Sequence, residues 1–365
     1  MKIAVQGCGH GDLNKIYAKL AELEARDGIK ADLLIVCGDF QAIRNRSDLQ
    51  TMACPPKYRR MGDFYEYYTG QSNAPVLTLF IGGNHEASSH LAELYHGGWV
   101  APNIYFLGYA GVVKFGGLRI GAISGIYNAR HYRSGYYECP PYTETTIRSI
   151  YHTREFDVCR LEMLQEPIDI FVSHEWPHEI YRFGDMESLL KCKPYFREDI
   201  ERGMGIGAVP LRRLLEKLRP KKWFAAHMHV EFEACVKDAS GNRQTEFLAL
   251  DKCVPGRRHL RIVDIPDQDN ADKNNGNCRP GLCYDREWLS VVRAMNPFMS
   301  FQSTHSCMPQ NVDLSEHRQF VNAIPDEALW IPRTYMRTSN IPGRRTTWLQ
   351  TAEFCKLLQI KDHWN

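Results

Sequence analysis

The chain is punctuated by short apolar runs that stop abruptly at a glycine or a polar residue. Ile3-Ala4-Val5 stops at Gly7, and Leu33-Leu34-Ile35-Val36-Cys37 stops at Gly38. Val76-Leu77-Thr78-Leu79-Phe80-Ile81 runs into Gly82, Ile168-Asp169-Ile170-Phe171-Val172 into Ser173, and Trp223-Phe224-Ala225-Ala226 into His227. Continuous rather than alternating hydrophobicity predicts strands buried on both faces, as in parallel sheets. Between the first two runs, Leu13, Ile16, Tyr17, Leu20 and Leu23 fall at helical spacing. They predict a helix over about 12–25, with Asp12 as its N-cap and Gly28 as its stop. Strand, helix and buried strand together predict a βαβ unit with a parallel pair.

Further on, an aromatic, helix-like segment runs through Tyr65, Tyr67 and Tyr68. Short glycine-punctuated alternations over 104–126 predict antiparallel strands or hairpins. A helix is predicted around 211–218, and strands over 232–235, 247–250 and 260–265. Residues 266–280, rich in Asp and Asn with almost no apolar side chains, read as a linker or mobile loop. Beyond them, 287–292 looks helical, and the rest has little periodicity. The expected organisation is a main domain over 1–265 with an insertion at 127–154, then a small, mostly helical or irregular C-terminal lobe over 281–365.

At 365 residues, 44% hydrophobic and 24% charged, the chain has material for a sizeable core in a main and a smaller domain. A formal charge of +2 excludes a globally basic nucleic-acid binder, so any such surface must be a local patch. No apolar run is long enough to span a bilayer, and the N-terminus lacks a secretory h-region. The twelve cysteines include no C-x-x-C pair. Reduced thiols in a soluble intracellular protein, with no membrane partner, are the expectation.

Chemistry-bearing residues collect just beyond the ends of the buried runs. Gly7-Cys8-Gly9-His10-Gly11 follows the first, Asp39 the second, Asn84 and His85 the third, His174 the fourth, and His227-Met228-His229 the fifth. The carboxyl ends of strands are where α/β proteins assemble sites from separate loops. A lone histidine after a strand is most often a hydrogen-bonded structural residue, and a lone cysteine a small buried hydrophobe. Five such stations together have the composition of a metal site, and this many ligands suggest two ions rather than one.

Gly38-Asp39, Gly82-Gly83-Asn84-His85-Glu86, His174 and His227-Met228-His229 resemble the successive motifs of the calcineurin-like metallophosphoesterases. Within that superfamily, Gly7 to Gly11, Cys37-Gly38-Asp39-Phe40-Gln41, Pro55-Pro56-Lys57-Tyr58 and Ser124-Gly125-Ile126-Tyr127 are similar to the RNA lariat-debranching family. So are Glu138-Cys139-Pro140-Pro141-Tyr142 and Ile147-Arg148-Ser149-Ile150-Tyr151-His152. The resemblance implies an α/β fold of two stacked mixed sheets flanked by helices, and a dinuclear centre. Cys8, His10, Asp39 and His229 would surround one metal, and Asp39, Asn84, His174 and His227 the other, with Asp39 bridging. His85 would stand near the scissile phosphate as general acid while metal-activated hydroxide attacks.

The implied substrate is branched lariat RNA, cleaved at its 2′–5′ linkage for intron turnover. The implied compartment is the nucleus, and a monomer is expected. Against the broader superfamily, Cys8 replaces the usual Asp, Gln41-Ala42-Ile43-Arg44 lacks the usual Asp-Arg pair, and Ala226 stands where Gly is usual. A thiolate with imidazole favours Zn²⁺ or Fe²⁺ over Mg²⁺, with Mn²⁺ able to support activity. Two aromatic and basic clusters are candidate RNA contacts. One holds Lys57, Tyr58, Arg59, Tyr65 and Tyr68; the other holds Tyr127, Arg130, His131, Tyr132, Arg133, Tyr136, Tyr137 and Tyr142. The competing readings are a small-molecule or nucleotide phosphoesterase and a non-catalytic RNA-binding scaffold of the same fold.

Overall fold

A computed structural model of the chain describes residues 1–237, 241, 244–266, 281–333, 335 and 349–363. Apart from Pro266, the expected linker lies outside the described residues. The strands are β1 (Lys2–Gln6), β2 (Leu33–Val36), β3 (Thr78–Phe80), β4 (Gly98–Ala101), β5 (Ile104–Phe106), β6 (Ala110–Phe115), β7 (Leu118–Ile123), β8 (Ile170–Ser173), β9 (Lys222–Ala225), β10 (Phe232–Lys237), β11 (Gln244–Ala249), β12 (Leu260–Asp264) and β13 (Leu282–Tyr284). They form two mixed sheets. One is ordered β12-β1-β2-β3-β5-β4, the other β10-β11-β9-β8-β7-β6-β13.

The predicted βαβ unit is present. β1 and β2 run parallel with Ile3 opposite Leu33, and β2 continues parallel to β3. The connecting helix, Leu13–Asp27, buries the five predicted apolar positions and ends at Gly28, whose left-handed backbone lets its N–H reach the Glu24 carbonyl. Asp12 occupies the N-cap position but makes no capping bond; its carboxylate pairs with Arg60 instead. Over 104–126 the expectation of antiparallel pairing holds for the β6–β7 hairpin. For β5 it holds on one side, where β4 pairs with it antiparallel, while on the other β5 adds parallel to β3 with Thr78 opposite Ile104.

Period-two alternation within the apolar strands divides them between two layers. Ile3, Val5, Leu33 and Ile35 point toward the other sheet and meet Ile120, Ile170, Val172 and Phe224 there. Ala4, Leu34 and Val36 point outward onto Leu13, Ile16 and Leu20 of the first helix. The second sheet is covered on its outer face by Phe156, Leu214 and Leu289, from helices Glu155–Glu162, Val209–Leu218 and Arg286–Met295. Both faces of each central strand are therefore dry, which is why their sequences do not alternate.

The C-terminal residues are tied to the second sheet. β13 pairs antiparallel with β6, and helices Ser315–Asn322 and Leu349–Leu358 place Val321 and Phe354 in the same apolar cluster as the covering helices. Arg119 of β7 fastens this side. Its guanidinium donates to both Asp285 oxygens at 2.8 Å and to Glu287 Oε2 at 2.8 Å, and all three side chains are almost fully buried. Asp285 also caps its helix by accepting from Trp288 N. No helix among the described residues is long and apolar enough to cross a membrane.

Removing the cation would strand two buried carboxylates, the costly way to break a buried pair. Arg119→Ala should lower stability by about 3–5 kcal/mol, read as a lower urea midpoint; an unchanged midpoint would show that Lys114, 3.6 Å from Asp285, takes over the charge.

Candidate metal centre

The two sheets bring the carboxyl ends of β1, β2, β3, β8 and β9 to one edge, and each end carries a predicted site residue. Cys8 and His10 follow β1, Asp39 follows β2, Asn84 and His85 follow β3, His174 follows β8, and His227 and His229 follow β9. All eight converge. The donor atoms of Cys8, His10, Asp39 and His229 lie within 4.8 Å of one another. His174 Nε2 stands 3.3 Å from Asn84 Oδ1 and 3.5 Å from Asp39 Oδ1. The His227 ring lies 4.9 Å from that of His174. Asp39 thus faces both groups, with Oδ2 3.7 Å from His10 Nε2.

Four of these residues adopt backbone that sequence does not announce. His10, Asp39, His227 and His229 have φ of 49°, 48°, 62° and 50°. Left-handed conformations at non-glycine residues are uncommon and cluster where a site demands them. True glycines make the room. A Cβ on Gly38, at φ 100°, or on Gly83 would run into the His174 imidazole, and at Gly83 into the Asp39 carboxylate as well.

The donor set suits divalent metal. Asp39 is buried; Oδ1 accepts the His85 N–H at 2.8 Å, but Oδ2 has no hydrogen-bond partner, which is costly unless a cation sits there. Burial works to raise the Asp39 pKa, yet the facing imidazoles of His174 and His10, with the His85 N–H, hold it below the usual carboxylate range. Burial, reinforced by neighbouring His174, lowers His227 to about 3, and burial with His10 beside it lowers His229 to about 4, so both rings are neutral at pH 7 and available to a metal. His174 Nδ1 bonds the Cys37 carbonyl at 2.8 Å, leaving Nε2 as the free lone pair. Burial, with Asp39 nearby, raises the Cys8 thiol, while the His227 N–H donates to its sulfur at 3.3 Å. A metal would have to displace that proton.

Glu86 follows Asn84-His85 in the sequence without a role that its position announces. Its Oε1 accepts from Phe40 N at 2.7 Å and Gly83 N at 3.1 Å, and Oε2 from Gln41 N at 2.8 Å. It therefore clamps the Asp39 loop to the Asn84 loop. Burial and the Asp39 charge lift it to about 8 against those N–H bonds. A glutamate directly after Asn84 and His85 was the available signal.

The candidate RNA contacts divide by burial. Lys57 is exposed, with its ammonium 4.9 Å from the ring centre of Tyr58, itself 63% exposed. Arg130 and Arg133 are also exposed, while Arg59, Tyr65, Tyr127, His131, Tyr137 and Tyr142 are half-buried. Arg59 is occupied by Cys54 O and Gln50 Oε1, and His131 stacks on His152. Three expectations are corrected. Tyr68, Tyr132 and Tyr136 are 7%, 8% and 5% exposed and fill the core, so no base can stack on them. Tyr136 lies on Tyr109 and donates to Asp157, and Tyr68 packs against Phe64 and Tyr335. The insertion is attached to the site: the Glu175 carboxylate, next to His174, accepts from Tyr127 N, and Gly125 N donates to Gly82 O.

A sequence model of the calcineurin-like phosphoesterases matches residues 1–231, and one of the lariat debranching enzyme C-terminal domain matches 242–363. The human lariat debranching enzyme is 51% identical over 388 residues, covering 99% of this chain and 70% of that protein. That of Arabidopsis thaliana is 48% identical over 338 residues, covering 93% of this chain and 79% of its own length. The chicken enzyme is 44% identical over 386 residues, covering 99% and 70%. This chain belongs to the lariat debranching enzyme family. As a calcineurin-like phosphoesterase of that family it uses divalent metal ions, and the two-sheet fold is the one that superfamily implies.

Loosening a group that orients ligands costs metal-binding enzymes about 10–100-fold in affinity. Glu86→Gln puts an amide where two N–H groups converge, so metal affinity measured by competition with a chelator should fall by that factor while the fold persists. Unaltered affinity would mean that Glu86 is not needed to hold the Asp39 loop.

Proposed function

We propose that this chain hydrolyses the 2′–5′ phosphodiester at the branch point of intron lariat RNA, releasing linear RNA for turnover. The observation that carries the reading is the complete donor set at one sheet edge, in a chain similar to debranching enzymes through its C-terminal residues as well. Cys8, His10, Asp39 and His229 would hold one ion, and Asp39, Asn84, His174 and His227 the other, with Asp39 shared. When bound, such ions activate water and offset charge on the phosphoryl oxygens.

The chain's own residues do the rest. His85 is half-exposed beside the ligands, its backbone fixed to Asp39 and its ring 5.7 Å from that of His10. It donates a proton to the departing 2′-oxygen. A P–O bond to water forms as the P–O2′ bond breaks. The branch nucleotide recovers its 2′-hydroxyl, and the released strand keeps a 5′-phosphate.

The chemistry of 2′–5′ and 3′–5′ diesters is alike, so selection must come from shape. Lys57, Tyr58, Arg130 and Arg133 offer exposed cations and a ring, with Tyr127, Tyr137 and Tyr142 partly accessible beside them. The buried Tyr132 and Tyr136 hold the insertion on its core instead. Residues 1–265 serve as the catalytic part and 281–365 as a brace for the second sheet. A substrate made by splicing puts this activity in the nucleus.

Comparing branched RNA, linear RNA of the same composition and a nitrophenyl diester tests the reading; cleavage of the diester without preference for the branch would overturn it. General acid catalysis is worth about 10²–10⁴-fold. His85→Ala should lose turnover of that order on branched RNA with metal content retained, and much less on the nitrophenyl diester, whose leaving group needs no proton. Equal losses on both would remove His85 as the acid.

Zn²⁺ or Fe²⁺ is the proposed ion at the Cys8 corner, with Mn²⁺ a workable substitute. Cys8→Asp should shift preference toward Mn²⁺ and Mg²⁺ in metal-reconstitution titrations; an unchanged order of metals would show that the thiol does not ligate.

A further inference from the structure

A branched RNA presents three strands around one phosphate, so a single recognition surface leaves strands unheld. The insertion at 127–154 joins the site through Gly82 and Glu175, beside Asn84 and His174. The other corner, Cys8 with His10 and His229, is bordered by the segment between β11 and β12, which carries Lys252, Arg257 and Arg258.

That segment is built against the metal corner. Cys253 N donates to Cys8 O at 3.2 Å, and a Cβ on Gly7 would strike the Asp251 carbonyl. Lys252 is thus bracketed by two residues touching the Cys8 loop. The segment's arginines are committed. Arg257 pairs with Asp251 at 2.9 Å and Arg258 with Glu231 at 2.9 Å. Lys252 is half-buried, and among the described residues no carboxylate pairs with its ammonium.

A second unpaired cation stands nearby. Lys193, at the end of helix Met186–Cys192, lies within electrostatic reach of Asp251 and Arg257, and no carboxylate among the described residues pairs with it either. Two residues on, Tyr195 presents a ring that is 61% exposed. Half-buried ammonium groups without partners, beside an exposed ring, match what a single strand needs: cations for its phosphates and a face for a base.

We propose that Lys252, Lys193 and Tyr195 form a second RNA-binding surface, which holds the backbone of one arm of the branched substrate beside the Cys8 corner. The inference rests on the debranching reading and adds the side on which that arm leaves. Lys252 and Lys193 act as phosphate contacts and Tyr195 as a stacking platform.

The test measures affinity for a metal-loaded, full-length chain and a short branched RNA across a salt series. Each phosphate contact on single-stranded RNA contributes about 0.7 to the log–log salt slope. Lys252→Ala with Lys193→Ala should reduce the slope by about 1.4 and weaken binding about ten-fold or more near physiological salt. Metal content should be retained, and Lys252→Arg should restore its share of the slope. An unchanged slope, or a loss of binding explained by lost metal, overturns the surface. If the unaltered chain does not prefer branched over linear RNA, the debranching reading itself fails, and that result is visible before any variant is made.

Discussion

The Asp39 carboxylate is the constraint on which the rest of this structure depends. It is buried at the end of β2, with one oxygen bonded to the His85 N–H and the other without any protein donor. An ionised carboxylate removed from water is tolerated only when charge and hydrogen bonds replace what water gave. Two imidazoles stand within 4 Å of it, and they are better placed as ligands to a shared cation than as cations themselves. The surrounding backbone is arranged to keep this demand in place. His10 N donates to the Asp39 carbonyl at 2.5 Å, and Glu86 fixes the next two N–H groups. His85, held by the same carboxylate, is positioned by the feature that creates the need for metal.

Much of this was legible in the sequence because the site stands on strands buried on both faces. A run such as Leu33 to Val36, with no polar residue to mark an outer face, fits only between two apolar layers, and its end then marks the sheet edge. Short edge strands carry no such signature. β4 and β13 have four and three residues, and a glycine or a lone apolar pair gave nothing to read. β5 is antiparallel to β4, as expected of that region, but its parallel pairing with β3 left no mark because three residues cannot express a partner's direction.

Aromatic residues were the least readable. Tyr58 and Tyr68 occur ten positions apart in similar aromatic and basic surroundings, yet one is open and the other is core. A tyrosine satisfies either fate, since its ring buries well and its hydroxyl needs only one partner. Tyr136 fell inside on those terms, with Asp157 as its partner, and Tyr132 on its ring alone, its buried hydroxyl unbonded, while the charged members of their cluster, Arg130 and Arg133, stayed out. Left-handed backbone at His10, Asp39, His227 and His229 left no trace either, because it is imposed by packing around the site.

Cys8 gains a physical explanation from the same carboxylate. Asp39 already raises the neighbouring thiol, so an aspartate at position 8 would bring a second permanent negative charge into a buried corner before any metal arrived. A thiol avoids that repulsion. In the proposed centre it would stay neutral, accepting the His227 N–H, and become an anion only as a metal displaced its proton. The corner would then carry one buried charge without metal and gain its second together with the cation that compensates both. As a ligand of the proposed centre, a soft, conditionally charged thiol would ease the folding of the metal-free chain and favour softer ions, with no separate device needed for either.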